Sequence, residues 1–294
     1  MSTPNHHDAR AGAAAASDGR NLSRRIASAL VLAPIGIIAA FFGGWLFLAA
    51  CAIAAGIILW EWTSLVVRSA DPVILVPGLT ALLAAAILAG ASEAGPAMGV
   101  VAAGTMLTGA VMAAWPGRYV PDTALWGAGG VIYAGIVLLS PVLLRSDPEF
   151  GFAALLFLFA TVWATDVFAY LVGRKLGGPL LWPQVSPNKT WSGAIGGLGG
   201  GVAAGTLVAY ASGGTKPVAA AVLALILSIV AQGGDLFESA VKRRFGAKDA
   251  SSLIPGHGGV MDRLDGFLFA AFVAVLIGIA RQGLAAPARG MLVW

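Results

Sequence analysis

The sequence predicts an all-α, polytopic integral membrane protein with about nine transmembrane helices, and three observations carry that reading. Hydrophobic residues fill 58% of the 294 positions and charged residues only 11%, and the mean hydropathy is +0.85, which sets the chain apart from soluble domains. Apolar runs of about 20 residues, long enough to cross a ~30 Å hydrocarbon core as helices, recur from Ile26 almost to the last residue. The cations also sort by side. With the N-terminus in the cytosol, only Arg145, Lys216, Arg281 and Arg289 of the 18 Lys and Arg fall on the far side, a clear positive-inside bias.

Residues 1–22 are polar, Ala-rich and without apolar periodicity, and read as a disordered cytosolic tail in which His6 and His7 are solvated. Arg24 and Arg25 precede a first run that lacks a small-residue cleavage site, so it reads as an uncleaved helix. Segments are expected at about 26–43, 45–67, 73–90, 96–114, 124–144, 152–173, 191–212, 217–241 and 264–281. Cys51, the single cysteine, lies inside an apolar run, so disulfides are no structural device. The net charge of +4 does not point to nucleic acid, because the basic residues form no stripe with interleaved aromatics on a soluble face.

The first five segments are nearly free of charge. Their one acid, Glu61, sits between Trp60 and Trp62 and reads as an interfacial carboxylate, hydrated at headgroup depth within an aromatic belt. Asp166 lies nearer the middle of its segment, where an ionisable group faces a polar cavity or a partner helix. "SPNKT", Ser186 to Thr190, joins a turn signal to Lys189 just ahead of a helix. It reads either as a phosphate-holding helix start or as a plain cap with an inside-positive lysine. In the following "GAIGGLGGGVAAG", Gly193, Gly197, Gly201 and Gly205 recur every four residues on one face with no strand ahead of them. That is helix packing rather than a nucleotide fingerprint.

Charge concentrates between Gln232 and Gly266. Asp235, Glu238, Ser239 and Lys242 fall at i, i+3, i+4 and i+7 and so share one helical stripe. A Gly-rich loop carrying Lys248, Asp249 and His257 follows, then Asp262 and Asp265, three apart at the start of the last segment. Oxygen ligands from Asp235, Asp262 and Asp265 suit a hard cation such as magnesium. Lys242, Arg243 and Lys248 supply fixed positive charge for a polyphosphate. The alternative is an inside-positive loop of salt bridges.

The stretch "SAVKRRFGAKDASSLIPGHGGVMDRLD", Ser239 to Asp265, resembles the signature segment of phosphatidate cytidylyltransferases in its serine, Lys-Arg pair, Lys-Asp pair, His-Gly-Gly and closing Asp-Arg-x-Asp. "SPNKTWSG" is similar to that family's "SPKKTxEG", with Asn188 in place of a lysine and Ser192 in place of a glutamate. The resemblance is strong over about 166–266 and compositional over the first five segments. It implies transfer of a cytidylyl group from CTP to phosphatidic acid with Mg2+ as cofactor, at a cytosol-facing site in the cell inner membrane. It implies Lys242, Arg243, Lys248, Asp249 and Asp262 as catalytic residues. Ser186, Lys189, Ser239 and His257 would bind substrate, His257 either touching a phosphate or bracing the glycine turn. The metal set would be Asp235, Asp262, Asp265 and Asp166. Residues 23–150 would then be an N-terminal transmembrane bundle and 151–294 a C-terminal transmembrane catalytic region, with room for a homodimer. A CTP-dependent lipid kinase, a cytidylyltransferase for another lipid phosphate and a cation-coupled transporter are the competing readings.

Overall fold

The computed structural model describes residues 33–115, 117–213, 216–253 and 258–294. The tail expected over 1–22, the start of the first apolar segment and His257 lie outside the described residues. Helix α1 is described over Ala33–Phe42. It is followed by α2 (Gly44–Val67), α3 (Pro72–Gly90), α4 (Ala94–Ala113), α5 (Pro121–Arg145), α6 (Gly151–Leu176), the strands β1 (Leu180–Trp182) and β2 (Ser186–Thr190), α7 (Trp191–Ala211), α8 (Pro217–Arg244), α9 (Met261–Gln282) and α10 (Pro287–Leu292). Among the described residues, the eight helices α2 to α9 are long and apolar enough to cross a membrane. The protein is an all-α, polytopic membrane protein.

Helix α5 forms the centre. In its most apolar stretch 78% of residues are buried, against at most 39% for any other span, so it is the most enclosed of the spans. Helix α7 is the least buried, and what it does bury is its glycine face: Gly193, Gly197, Gly200, Gly201 and Gly205. A Cβ on Gly193 would stand 2.7 Å from the Ala169 carbonyl oxygen, and one on Gly197 2.8 Å from that of Thr165. The four-residue glycine spacing therefore seats α7 directly on the backbone of α6, as the sequence predicts. Buried hydroxyls add a tie to α8, where Thr165 Oγ1 and Ser228 Oγ lie 2.7 Å apart.

Successive spans reverse direction, so the ends of α2, α4, α6 and α8 and the starts of α3, α5, α7 and α9 share one end of the bundle. There Asp71 caps α3 by accepting from the Val73 N–H (3.0 Å) while Arg118 (3.0 Å) and the Tyr119 hydroxyl (2.6 Å) donate to it. Burial alone would raise the Asp71 carboxyl, but these hydrogen bonds hold it below the usual carboxylate range. Burial, together with the hydrogen bond to Asp71, pushes the Tyr119 hydroxyl up to about 12.

Two local expectations are corrected, and one short helix is added. The segment between α6 and α7 is a hairpin, with β1 and β2 antiparallel in the register Leu180↔Thr190 and Trp182↔Ser186, so a strand does stand directly ahead of the α7 glycines, where none is expected. Gly177 and Gly178, at φ +61° and +106°, provide the left-handed backbone by which the chain leaves α6 for β1. The short helix α10 folds back under α9. Glu61 is not a hydrated interfacial group: it is fully buried and accepts hydrogen bonds from Ser251 Oγ and from the backbone N–H groups of Val260 and Met261.

Candidate active site

Four connections place polar side chains at this shared end. From the hairpin, Lys189 reaches across to form an ion pair with Asp235 on α8. Four residues after Glu238 on α8, Lys242 lies buried between Glu238 Oε2 (2.6 Å) and Asp262 Oδ1 (2.5 Å) of α9. Asp262 Oδ2 in turn accepts the N–H groups of Ala250 (2.9 Å) and Gly259 (2.7 Å), which folds the α8–α9 loop around it. Thr190 caps α7 by accepting from the Gly193 N–H at 3.1 Å, and Ser192 Oγ donates to the Gly177 carbonyl at 2.5 Å. Ser192, which departs from the "SPKKTxEG" pattern, thus ties the hairpin entry to the first turn of α7.

The acids meet in a group the sequence only half anticipates. One carboxylate oxygen each from Asp235, Glu238 and Asp265 lie within 4.8 Å of one another. Asp235 and Glu238 come from one face of α8, as their spacing predicts, and Asp265 comes from the second turn of α9. Asp265 Oδ1 also accepts the N–H of Gly266 at 2.7 Å. Asp262, three residues before Asp265, does not join this trio but faces Lys242 and the loop amides. Glu238 is fully buried and its Oε1 has no hydrogen-bond donor among the described residues. An orphaned carboxylate oxygen between two more carboxylates is costly unless a cation joins it. Three hard oxygen donors at this separation suit a divalent cation such as Mg2+.

Beside the trio a cavity of about 530 Å³ opens between α6, the hairpin and α7. Its polar lining includes Asp166, Arg174, Ser186, Asn188, Lys189 and Gln232. Lys189 belongs both to this wall and to the ion pair with Asp235, and Asp166 feels the charges of both. The cavity therefore adjoins the acids. Ser239 is half-buried on the α8 stripe, while Arg243, Lys248 and Asp249 are exposed where α8 leaves the bundle, Arg243 donating to the Ala247 carbonyl at 2.9 Å. A smaller cavity of about 250 Å³ at the opposite end has Lys216 in its wall and no carboxylate side chain. The arrangement at the acid end can hold a hard cation and a polyanion side by side.

A model of the cytidylyltransferase family matches residues 23–279. The chain belongs to that family. Curated relatives include the phosphatidate cytidylyltransferase of Brucella abortus biovar 1 (strain 9-941), 58% identical over 153 residues that cover 52% of this chain and 57% of that protein. Those of Staphylococcus aureus (strain COL), 42% identical over 140 residues (47% and 53%), and Bacillus subtilis (strain 168), 37% identical over 139 residues (47% and 52%), are also similar. The chain spans about half the length of the curated relatives it matches. Membership of this cytidylyltransferase family argues against the transporter reading.

Two residues of this end escape the sequence reading. Glu238 stands on the charged stripe, and its position three after Asp235 and four before Lys242 is a usable signal for the trio. Glu61 carries no such signal, because its partners lie 190 to 200 positions away in the chain.

Proposed function

We propose that this protein transfers a cytidylyl group from CTP to phosphatidic acid, giving CDP-diacylglycerol and pyrophosphate, as a multi-pass protein of the cell inner membrane whose site faces the cytosol. The names of its relatives support the reaction. The observation that carries it in the structure is the trio Asp235, Glu238 and Asp265, joined through Lys189 to a polar cavity at one end of the bundle. That end also bears most of the cations that the positive-inside pattern assigns to the cytosol.

The attacking oxygen belongs to a phosphate monoester that is already ionised at neutral pH, so the chain need not supply a nucleophile. A phosphate oxygen of the lipid attacks the α-phosphorus of CTP, and the bond to the departing pyrophosphate breaks. The remaining tasks are positioning, screening one polyanion from the other and neutralising the leaving group. Asp235, Glu238 and Asp265 would hold Mg2+, and Asp166 adds a further carboxylate to the adjoining cavity wall. Bound there, the cation neutralises charge on phosphate oxygens. Lys189 moves from Asp235 to a phosphate, and Ser186 donates a hydrogen bond in the same wall. Arg243 at the exposed end of α8 and Lys248 just beyond it would supply positive charge to the polyphosphate. Lys242 fixes Glu238 and Asp262 in place. Ser239 would offer a hydroxyl from the α8 stripe and Asp249 a carboxylate just beyond the end of α8, while His257 would bind substrate as the family resemblance implies.

The test is direct. Purified protein in detergent, given Mg2+, CTP and phosphatidic acid, should release pyrophosphate and form CDP-diacylglycerol. CDP as the product would convert the reading into a lipid kinase, and no nucleotide-dependent product at all would sink it.

A further inference from the structure

We propose that Glu61, a residue of the N-terminal bundle, is a positioning residue for the α8–α9 loop, an inference that rests on the cytidylyl-transfer reading above. Nothing within α2 calls for a carboxylate at this place, and a buried carboxylate is retained only where donors satisfy it. The donors come from the far half of the chain: Ser251 Oγ at 2.6 Å, the Val260 N–H at 2.9 Å and the Met261 N–H at 2.7 Å. Val260 and Met261 are the N-cap and first residue of α9, and the N-cap residue makes no side-chain cap of its own. The backbone N–H groups that every helix start leaves open are thus met by a residue of another helix, with the helix dipole favouring its negative charge.

The grip falls on Ser251 and on Val260 and Met261, and Gly259, next to Val260, reaches into the site. A Cβ on Gly259 would stand 2.8 Å from Glu61 Oε2 and closer still to Oε1, so the second glycine of the His-Gly-Gly run is the only residue that leaves room for the carboxylate. From that position the Gly259 N–H reaches Asp262 Oδ2 at 2.7 Å. Asp262 holds Lys242 and Lys242 holds Glu238 of the acid trio. Glu61 lines no described cavity and belongs to no acid cluster; it acts through the loop. Beside it, Trp62 Nε1 donates to the Trp126 carbonyl at 2.7 Å, and Trp126 packs edge-on against Phe245 at the start of the loop.

The test compares Glu61→Ala, Glu61→Gln, Ser251→Ala and Trp62→Phe in the full-length protein. Turnover per folded molecule should fall roughly 100-fold in Glu61→Ala, the scale of a small misplacement at a reacting centre. KM for CTP should change far less. Glu61→Gln keeps one acceptor oxygen and should recover about tenfold of that loss. Amide hydrogen exchange across 248–261, read without substrates, should speed up by at least about tenfold in Glu61→Ala and less in Ser251→Ala. Trp62→Phe should lower thermal stability while leaving turnover per folded molecule and loop exchange as in the wild type. Unchanged turnover and exchange in Glu61→Ala overturn the proposal. Should that variant not fold, the same result in both Glu61→Gln and Ser251→Ala overturns it. A wild type that forms no CDP-diacylglycerol refutes the transfer reading instead, and the exchange comparison still decides whether Glu61 holds the loop.

Discussion

At the end of the bundle formed by the α1–α2 and α5–α6 connections, arginines close off the chain's own acceptors, whereas at the opposite end acids and lysines are left with unequal numbers. Arg145 donates to the carbonyls of Ala40 (2.5 Å) and Phe41 (3.0 Å). Arg281 donates to the Gly290 carbonyl and lies over the Trp294 ring at 3.7 Å, and Arg289 pairs with Glu149 at 2.6 Å. Each of these cations ends on an acceptor and stitches two segments together. At the acid end, Lys189 and Lys242 engage Asp235, Glu238 and Asp262, yet Asp265 and Asp166 crowd the same region and, among the described residues, Glu238 Oε1 lacks a donor. A shell of matched partners stabilises a fold, and a shell with surplus negative charge is arranged for a ligand that brings the missing positive charge.

The sharpest way to break this contrast is to neutralise the acids one at a time. Asp235→Asn, Glu238→Gln and Asp265→Asn should each lower CDP-diacylglycerol formation by roughly 1,000-fold without loss of membrane insertion. A Glu238→Gln enzyme with near-normal turnover would remove Glu238 from the site. Asp262→Asn should also abolish turnover, since it releases Lys242 and two loop amides together, and loop exchange should rise with it. Chelation by EDTA should stop the reaction and added Mg2+ restore it, with pyrophosphate release as the readout. Lys189→Ala removes one charge-assisted contact, so KM for CTP should rise about tenfold to 100-fold. At the other end, Arg145→Ala should leave turnover per folded molecule unchanged and lower Tm in detergent by only about 2–4 °C. A larger effect of Arg145→Ala on turnover than on Tm would erase the distinction between the two ends.

Much of the fold was legible because a membrane span is written in local sequence. The expected segments 45–67 and 73–90 correspond to Gly44–Val67 and Pro72–Gly90, and the every-fourth glycines of α7 announce the contact with α6. What lay beyond reach was short or long-range. Strands of three and five residues and the six-residue α10 are too brief for periodicity to register. The end of α8 at Arg244 rather than near 241 follows from charged residues that can stay helical once past the hydrocarbon. At the site, spacing alone placed Asp235, Glu238 and Lys242 on one face. It could not show that Asp262 would turn to the loop and Asp265 to the trio, because that depends on how α9 docks on α8. Glu61 escapes for the same reason: Trp60 and Trp62 look like a headgroup belt, while the donors that bury the carboxylate, Ser251, Val260 and Met261, come from the far end of the chain.

Helix α8 has 28 residues, a length of about 42 Å at 1.5 Å per residue, against a hydrocarbon core of ~30 Å. The surplus is about two turns, so with Pro217 at one face of the hydrocarbon, Asp235 and Glu238, about 27 to 32 Å along the helix, would stand near the other. In the proposed reaction a diacyl substrate would be used without leaving its leaflet, so the concentration governing turnover would be two-dimensional. At a fixed bulk amount of phosphatidic acid, diluting it with inert detergent or lipid should slow the reaction in proportion to its falling surface fraction, while the dependence on CTP stays that of an ordinary solute.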